Sequence, residues 1–372
     1  MSEAWSTNVS IAEIGDWLRG KPRVAVLTHG KPDGDAIGST AAVVRAINHA
    51  SHAPGHAARA WYVGPVPGWV KSIANGTAYR VVEDNGLPQK HEAEAVLICD
   101  TGSRAQLEGY ADLLKTEGFA QRAAIVDHHL QGDAELAERR HVDSSAAAAC
   151  EPVAELCAHI MGLAGVRELP KDVATPLYLG LATDTGWFKH SNVRPRTLRL
   201  AADLLEAGAD HAWLYRVVEQ RDRVSRLRLL GRAFEKMTLH CDGRVAVLPL
   251  SIADYHAARA GPGETGGFAD QVLNVAGVLV AVVLTEVEAK GDPAQGGEPA
   301  RVKLSFRSKS GRPAVDVNAV AQTFGGGGHA QAAGARLEGA MDEVIARVVA
   351  ALTPAVEEAG AGEDLNENGV ES

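Results

Sequence analysis

The stretch Arg122-Ala123-Ala124-Ile125-Val126-Asp127-His128-His129-Leu130 governs how the rest of the chain is read. Its apolar run, Ala123 to Val126, is too short for a helix and rich in branched residues, so it reads as a buried strand. Asp127-His128-His129 then falls at the strand's carboxyl end, where open α/β sheets place their ligands. A carboxylate and two imidazoles are costly to desolvate unless something pairs with them. A divalent first-row metal accepts both ligand types. A polar turn would carry the same residues, so the triplet alone does not decide.

Three further apolar runs also end in carboxylates. Val24–Thr28 leads into His29-Gly30-Lys31-Pro32-Asp33-Gly34-Asp35, Ala95–Cys99 into Asp100-Thr101-Gly102, and Pro176–Ala182 into Thr183-Asp184-Thr185-Gly186. One strand ending in Asp is ordinary turn chemistry. Four such ends with three histidines among them favour a metal site over turns. Asp33 and Asp35, two apart in an extended loop, can serve neighbouring metals.

At 372 residues the chain is long enough for two domains with their own cores. A hydrophobic fraction of 46% and a charged fraction of 23% are ordinary globular values. The net charge of −10 argues against a protein that coats long nucleic acid, while leaving room for a small anionic substrate held locally. Cys99, Cys150, Cys157 and Cys241 are scattered, which predicts reduced thiols and a cytoplasmic setting. No basic region followed by an apolar stretch opens the chain, and no apolar run approaches the ~18–20 residues of a membrane span.

In order, Ile11–Leu18 has helical spacing, Val24–Thr28 is a strand, and Ala36–Asn48 is a helix packed back on the sheet. His49, His52 and His56 lie in a Ser/Ala/Pro/Gly loop and read as solvated. Arg59–Val63 and Tyr79–Val82 read as strands, with Trp69–Ala74 and Leu107–Lys115 helical. Ser144–Met161 is helical with Ser144 or Ser145 as N-cap. Val173–Ala182 reads as a helix delivering Asp184, with a strand as the alternative. The alternation predicts a doubly wound, mostly parallel sheet over residues 1–195. Thr197–Leu205 and Ala212–Phe234 predict a helical connector over 196–237, whose arginines Arg221, Arg223, Arg226, Arg228 and Arg232 are interleaved with acids and read as a solvated face.

A smaller α/β domain is expected over 238–353, from strand-like Val245–Leu250, Val278–Val287 and Arg301–Ser308, with Lys290–Pro299 a loop, Asp316–Phe324 a helix and Met341–Leu352 a closing helix. The run Gly325-Gly326-Gly327-Gly328-His329 is either a flexible turn or an anion-binding nest of backbone N–H groups, and Arg307 on the preceding strand favours the phosphate reading. Residues 354–372 are rich in Glu, Gly and Asn and read as a disordered tail.

The set His29-x-x-x-Asp33-x-Asp35, Asp100, Asp127-His128-His129 and Asp184 resembles the DHH phosphoesterases, and Gly325–Gly334 looks like the glycine-rich signature of their associated C-terminal domain. The resemblance runs from about Ile11 to Leu352 with the motifs in family order. Val302–Phe306 with Arg307, then Asp316–Gly334, is similar to the short two-domain oligoribonuclease and pAp phosphatase (nanoRNase) branch in particular. RecJ exonucleases share the motifs but are longer.

That resemblance implies a cleft between the two domains and two manganese ions about 3.5–4 Å apart, with magnesium or cobalt as substitutes. By the resemblance, His29 and Asp33 hold one ion, Asp35, His128 and Asp184 the other, and Asp100 bridges them. Asp127 orients a histidine, and His129 faces the substrate phosphate and protonates the leaving oxygen. Arg307, Gly326, Gly327, Gly328 and His329 hold substrate. The implied activity is a manganese-dependent phosphodiesterase and phosphatase. It converts short oligoribonucleotides and 3′-phosphoadenosine 5′-phosphate (pAp) to mononucleotides by in-line attack of a hydroxide bridging the metals. A cyclic- or linear-dinucleotide phosphodiesterase, a pyrophosphatase or exopolyphosphatase, and a non-catalytic nucleotide-binding protein are the alternatives. Neither long nucleic acid nor a membrane is an expected partner, and the oligomeric state is open, with a homodimer as a candidate.

Overall fold

The computed structural model describes residues 4–51, 57–82, 86–87, 92–287, 301–309, 311 and 314–360. His52, His56, the loop 290–299 and residues 361–372 lie outside them. The chain divides into two compact units, Met1–Arg221 and Asp222–Ser372.

The first unit is built on a six-stranded, all-parallel sheet. Its strands are β1 (Arg23–Leu27), β2 (Ala57–Tyr62), β3 (Tyr79–Val81), β4 (Ala95–Cys99), β5 (Ala123–Asp127) and β6 (Arg139–Val142), in the order β3-β2-β1-β4-β5-β6. Alternation within the central strands feeds two cores. Val24, Val26, Leu97, Cys99 and Val126 face one core, and Ala25, Leu27, Val96, Ile98 and Ile125 face the other. The first core is covered by α1 (Ile11–Arg19), α2 (Gly34–Ala50), α5 (Cys150–Met161) and α6 (Lys171–Asp184). Short α3 (Val70–Ile73) and α4 (Ala111–Leu114) complete the layers, the latter continuing a 3₁₀ turn, Glu108–Tyr110, where one helix over Leu107–Lys115 was expected. After β1 the chain moves one way to β2, while β4 lies on β1's other side. The order therefore reverses between β1 and β4, the switch point at which such sheets bind ligands.

One helical expectation needs correction. The helix expected from Ser144 begins at Cys150. Asp143 draws Ser145 into a turn, its Oδ1 accepting from the Ser145 amide and hydroxyl, and the helix's first amides turn instead to Asp35. Val173–Ala182, read as a helix delivering Asp184, lies within α6, which accommodates Pro176.

The span 196–237 is shared out rather than forming a connector. Helices α7 (Pro195–Glu206) and α8 (His211–Val218) bury Ala201, Leu204 and Leu214 in the first unit's core. Helix α9 (Val224–Glu235) buries Leu229 and Ala233 in the second unit. The chain leaves helical geometry between them, so Ala212–Phe234 is not one helix. Arg226 stacks on Phe268, 5.1 Å from its ring centroid, and Arg232 reaches Asp254 at 3.4 Å, so these two arginines serve packing within their unit.

The second unit is a mixed sheet ordered β11-β12-β10-β9-β8-β7. Its strands are β7 (Thr238–His240), β8 (Val245–Leu250), β9 (Val280–Val287), β10 (Arg301–Ser308), β11 (Gly327–His329) and β12 (Ala332–Glu338). Val302, Leu304 and Phe306 of β10 face a core closed by α12 (Val317–Thr323) and α13 (Met341–Gly360). The opposite face is covered over β8 by α9, α10 (Ile252–Ala258) and α11 (Phe268–Val272). The closing helix runs to Gly360 because Val356 still reaches the core, so the expected tail does not begin at 354. Among the described residues no helix is long and apolar enough to cross a membrane.

Candidate metal centre

Each parallel strand delivers its carboxyl-terminal loop to the same end of the sheet, and neighbouring β1, β4 and β5 bring their loops side by side. At the end of β5, Asp127 Oδ1 accepts from the amides of His128 (2.7 Å) and His129 (3.2 Å) and lies 2.7 Å from His129 Nδ1. Asp127 therefore shapes the loop and sets the His129 ring, and this hydrogen bond raises the pKa of His129. His128 Nδ1 donates to the Ala146 carbonyl at 3.4 Å, which leaves Nε2 to carry the lone pair of the neutral ring.

That Nε2 lies 3.4 Å from Asp100 Oδ1, 3.4 Å from Asp184 Oδ2 and 3.9 Å from Asp35 Oδ2. His29 Nε2 lies 3.5 Å from Asp100 Oδ2 and 3.8 Å from Asp33 Oδ1. Two ligand groups result, His29–Asp33–Asp100 and Asp35–His128–Asp184, each with its donor atoms within 4.8 Å of one another. Asp100 offers one oxygen to each histidine. Asp100, His128 and His129 make a third grouping of this kind. Asp100 adopts a left-handed backbone at φ 61°, which swings its carboxylate off the β4 axis toward both histidines at a cost of ~1–2 kcal/mol.

The donor set fits divalent cations. His128 Nε2 is buried with no hydrogen-bond partner although three carboxylates face it. Burial, then the nearby Asp100 and Asp184, pushes Asp35 well above the usual carboxylate range. Burial and Asp100 push Asp184 up to about 7. Burial opposes charge on His29 and His128, but the Asp100 carboxylate beside both, with Asp33 for His29 and Asp35 and Asp184 for His128, outweighs it and raises each to about 10. Acids and bases alike are short of positive charge, and metal ions supply it without protons.

Asp35 is anchored from behind. Its Oδ2 accepts from Ala149 N at 2.5 Å and its Oδ1 from Cys150 N at 3.0 Å, the amides that open α5. Helices α2 and α6 meet through glycine: a Cβ on Gly180 would lie 2.6 Å from Asp35 Oδ1 and 2.9 Å from Asp35 Cα. Trp5 closes the loops from the other side. Its indole N–H donates to the His129 carbonyl at 3.0 Å, and a Cβ on Gly132 would lie 2.6 Å from its ring. Sequence reasoning passed over Trp5 and Gly180; the Gly34–Gly38 spacing, four residues apart on α2, was the available sign of close helix packing.

His49 belongs to another neighbourhood, 2.8 Å from Asp172. Cys99, Cys150 and Cys157 are buried and all four cysteines are free.

In the second unit, Arg307 pairs across the sheet with Ala332, which pairs in turn with His329. The two side chains therefore share one face and one row, two strands apart, or about 10 Å. The Arg307 guanidinium is partly held, with Nε 3.7 Å from Asp270 Oδ1. The glycine run is not an open nest. The amides of Gly325 and Gly326 donate to the Gln322 and Ala321 carbonyls at the end of α12, and Gly327–His329 pairs as β11. Glycine is needed there for close strand packing: a Cβ on Gly326 would lie 2.7 Å from Ala335 Cβ, and one on Gly328 would lie 2.7 Å from Ala333 Cα.

Comparison with known proteins agrees with this division. Residues 23–181 match the DHH family, N-terminal domain, and residues 242–358 the DHHA1 domain. The bifunctional oligoribonuclease and PAP phosphatase NrnA of Thermus thermophilus is 29% identical over 358 residues, covering 96% of this chain and 96% of that protein. The Mycoplasma pneumoniae protein of the same name is 26% identical over 346 residues, covering 91% and 94%. Among solved structures, an exopolyphosphatase-related protein from Bacteroides fragilis superposes with a TM-score of 0.74 at 22% identity, covering 93% of this chain and 97% of that one. RecJ of Thermus thermophilus with Mn2+ superposes at 0.51 and 15% identity, covering 92% of this chain and 54% of RecJ. These structural likenesses speak to the fold.

Proposed function

Since the chain belongs to the DHH family and carries a DHHA1 domain behind its DHH domain, we propose that it hydrolyses pAp and short oligoribonucleotides to mononucleotides with two manganese ions. The observation that supports this most is the pair of ligand groups meeting at Asp100. In this reading His29 and Asp33 hold one ion, Asp35, His128 and Asp184 the other, and Asp100 serves both. When bound, two such ions supply a water of lowered pKa and stabilise charge on the phosphoryl oxygens.

The chain's own residues do the rest. The α5 amides hold Asp35 in place, so its carboxylate keeps one orientation. Asp127 fixes the His129 ring and favours its protonated form, and His129, nearly half exposed at the loop surface, holds the proton for the leaving oxygen. Arg307 and His329 hold a second phosphate, and Gly327 and Gly328 lie on the strand that carries His329, with Gly326 and Gly328 packed closely on β12. The oligoribonuclease and pAp phosphatase names of the relatives support the substrate class. Free, largely buried cysteines support a cytoplasmic setting.

A hydrolysis screen with manganese on pAp, linear dinucleotides, cyclic dinucleotides and pyrophosphate tests this. Turnover of pAp and linear dinucleotides is expected. Turnover of pyrophosphate alone, or of cyclic dinucleotides alone, would overturn the substrate assignment.

A further inference from the structure

Helix α6 ends at Asp184, whose Oδ2 lies 3.4 Å from His128 Nε2, and the backbone just past it is strained. The amide of Gly186 donates to the Thr183 carbonyl and that of Trp187 to the Ala182 carbonyl. These are the two bonds of an ordinary glycine-capped helix end, which needs one left-handed residue. Here three follow in succession, Gly186 at φ 55°, Trp187 at 58° and Phe188 at 65°. Glycine adopts that conformation freely, whereas a bulky aromatic residue keeps it only when its surroundings over-determine it.

Those surroundings are specific. The Trp187 indole N–H donates to Glu219 Oε1 at 2.9 Å, and its ring meets Tyr215 edge-on with centroids 4.9 Å apart. Phe188 packs on Tyr178 of α6 at 5.9 Å, and its amide donates to the Thr185 hydroxyl at 3.1 Å. Tyr215 and Glu219 are both exposed, so the first unit's core closes without their contacts to Trp187. Glu219 caps the end of α8 and stands two residues before Arg221, the last residue of the first unit.

We propose that Trp187 and Glu219 form a latch that positions Asp184. The latch holds the left-handed turn, the turn fixes the last residue of α6, and Asp184 keeps its carboxylate toward His128. With the latch broken, the turn relaxes toward ordinary backbone. The helix end loosens with it, because the amides that cap α6 belong to Gly186 and Trp187 themselves. Both latch residues act through Asp184, so they are positioning residues. Since Glu219 adjoins the segment by which the chain passes into its second unit, the latch also ties this carboxylate to that segment. The proposal rests on the metal-ligand role given to Asp184 above and extends it.

The test is calorimetric titration of the full chain with manganese, read beside the melting temperature of the metal-free protein. Glu219→Ala, which removes the acceptor, and Trp187→Phe, which keeps a ring but removes the donor, should each weaken one of the two ions about tenfold. The ion affected should be the one lost in Asp184→Asn, and the melting temperatures should stay near the parent's. The double variant should lose no more than either single one, since both remove the same bond. Glu219→Gln keeps an acceptor oxygen and should bind manganese as the parent does. Parent affinity in both single variants, or losses that add in the double variant, would overturn the latch. A chain that shows this pattern yet hydrolyses neither pAp nor dinucleotides would instead overturn the proposed function and leave the latch standing.

Discussion

Gly180→Ala is the substitution in which packing and chemistry are most tightly joined. The added methyl would lie 2.3 Å from Cys150 Sγ, 2.6 Å from Asp35 Oδ1 and 2.9 Å from Asp35 Cα. Ordinary contact needs ~3.5 Å, so the starts of α2 and α5 must give way by roughly 0.6–1.2 Å. Asp35 cannot rotate away, because both its oxygens are tied to the α5 amides. Overpacking of this kind costs ~1–3 kcal/mol, which a domain stable by ~5–15 kcal/mol survives. Metal ligands tolerate only about 0.2 Å, so the displacement falls on the site far more heavily than on the fold. The expected result is a folded protein destabilised by ~1–3 kcal/mol in chemical denaturation, with manganese affinity lowered at least about tenfold, the lower end of what misplaced ligand supports cost. Isothermal titration with manganese in the absence of substrate reads the affinity directly. Gly231→Ala serves as control, since no atom beyond its chain neighbours and its own helix backbone lies within 4 Å of its Cβ. It should match the parent or gain up to ~1 kcal/mol as a helix interior Gly→Ala change. Unchanged stability and unchanged manganese binding by Gly180→Ala would refute the argument.

Arg307→Lys and His329→Ala should both keep the parent's manganese binding while nucleotide hydrolysis falls about tenfold or more, because a lysine lacks the planar fork that grips phosphate; parent rates in both would remove them from the substrate grip. Trp5→Ala should lower kcat by ~10–100-fold with KM little changed, since the indole holds the His129 carbonyl and the loop at Gly132. Trp5→Phe should fall between, and a parent kcat in both would end the positioning role. Asp254 offers a pH test of the second unit's stability. Although burial opposes its charge, bonds from Lys236 and Ser251 hold its pKa at about 2. Its unfolded pKa is ~3.9, so the stabilisation is complete above that range and is lost as pH falls toward 2. Denaturation measured from pH 7 to 2 should show this loss in the parent and not in Asp254→Asn, and parallel curves would contradict it.

The strands that carry the site could be read from sequence because burial on both faces leaves each as a short apolar run, and the first polar residue after it marks the loop. Asp100 and Asp127 stand out for that reason, and Asp33 and Asp35 follow soon after β1, whereas Asp184 ends the apolar helix α6. Their supports did not stand out, because they are contacts between segments distant in the chain. Cys150 and Asp35 are 115 residues apart, and Trp5 and His129 are 124 apart. The glycine run misled in a different way. Four glycines free of side chains suggest exposed amides, but whether those amides are free depends on the preceding helix end and on β12, which local sequence does not reveal. Helices α10 and α11, of 7 and 5 residues, escaped because neither is long enough to display a period, although Ser251 and Asp254 form a capping box that marks the first.

The account rests on two ions sharing Asp100. Crystals grown with manganese and measured at its absorption edge examine this without recourse to activity. Two anomalous peaks about 3.5–4 Å apart are predicted, one against His29 and Asp33, the other against Asp35, His128 and Asp184, with Asp100 between them. A single peak remote from Asp100, or manganese bound only elsewhere on the chain, would contradict the account.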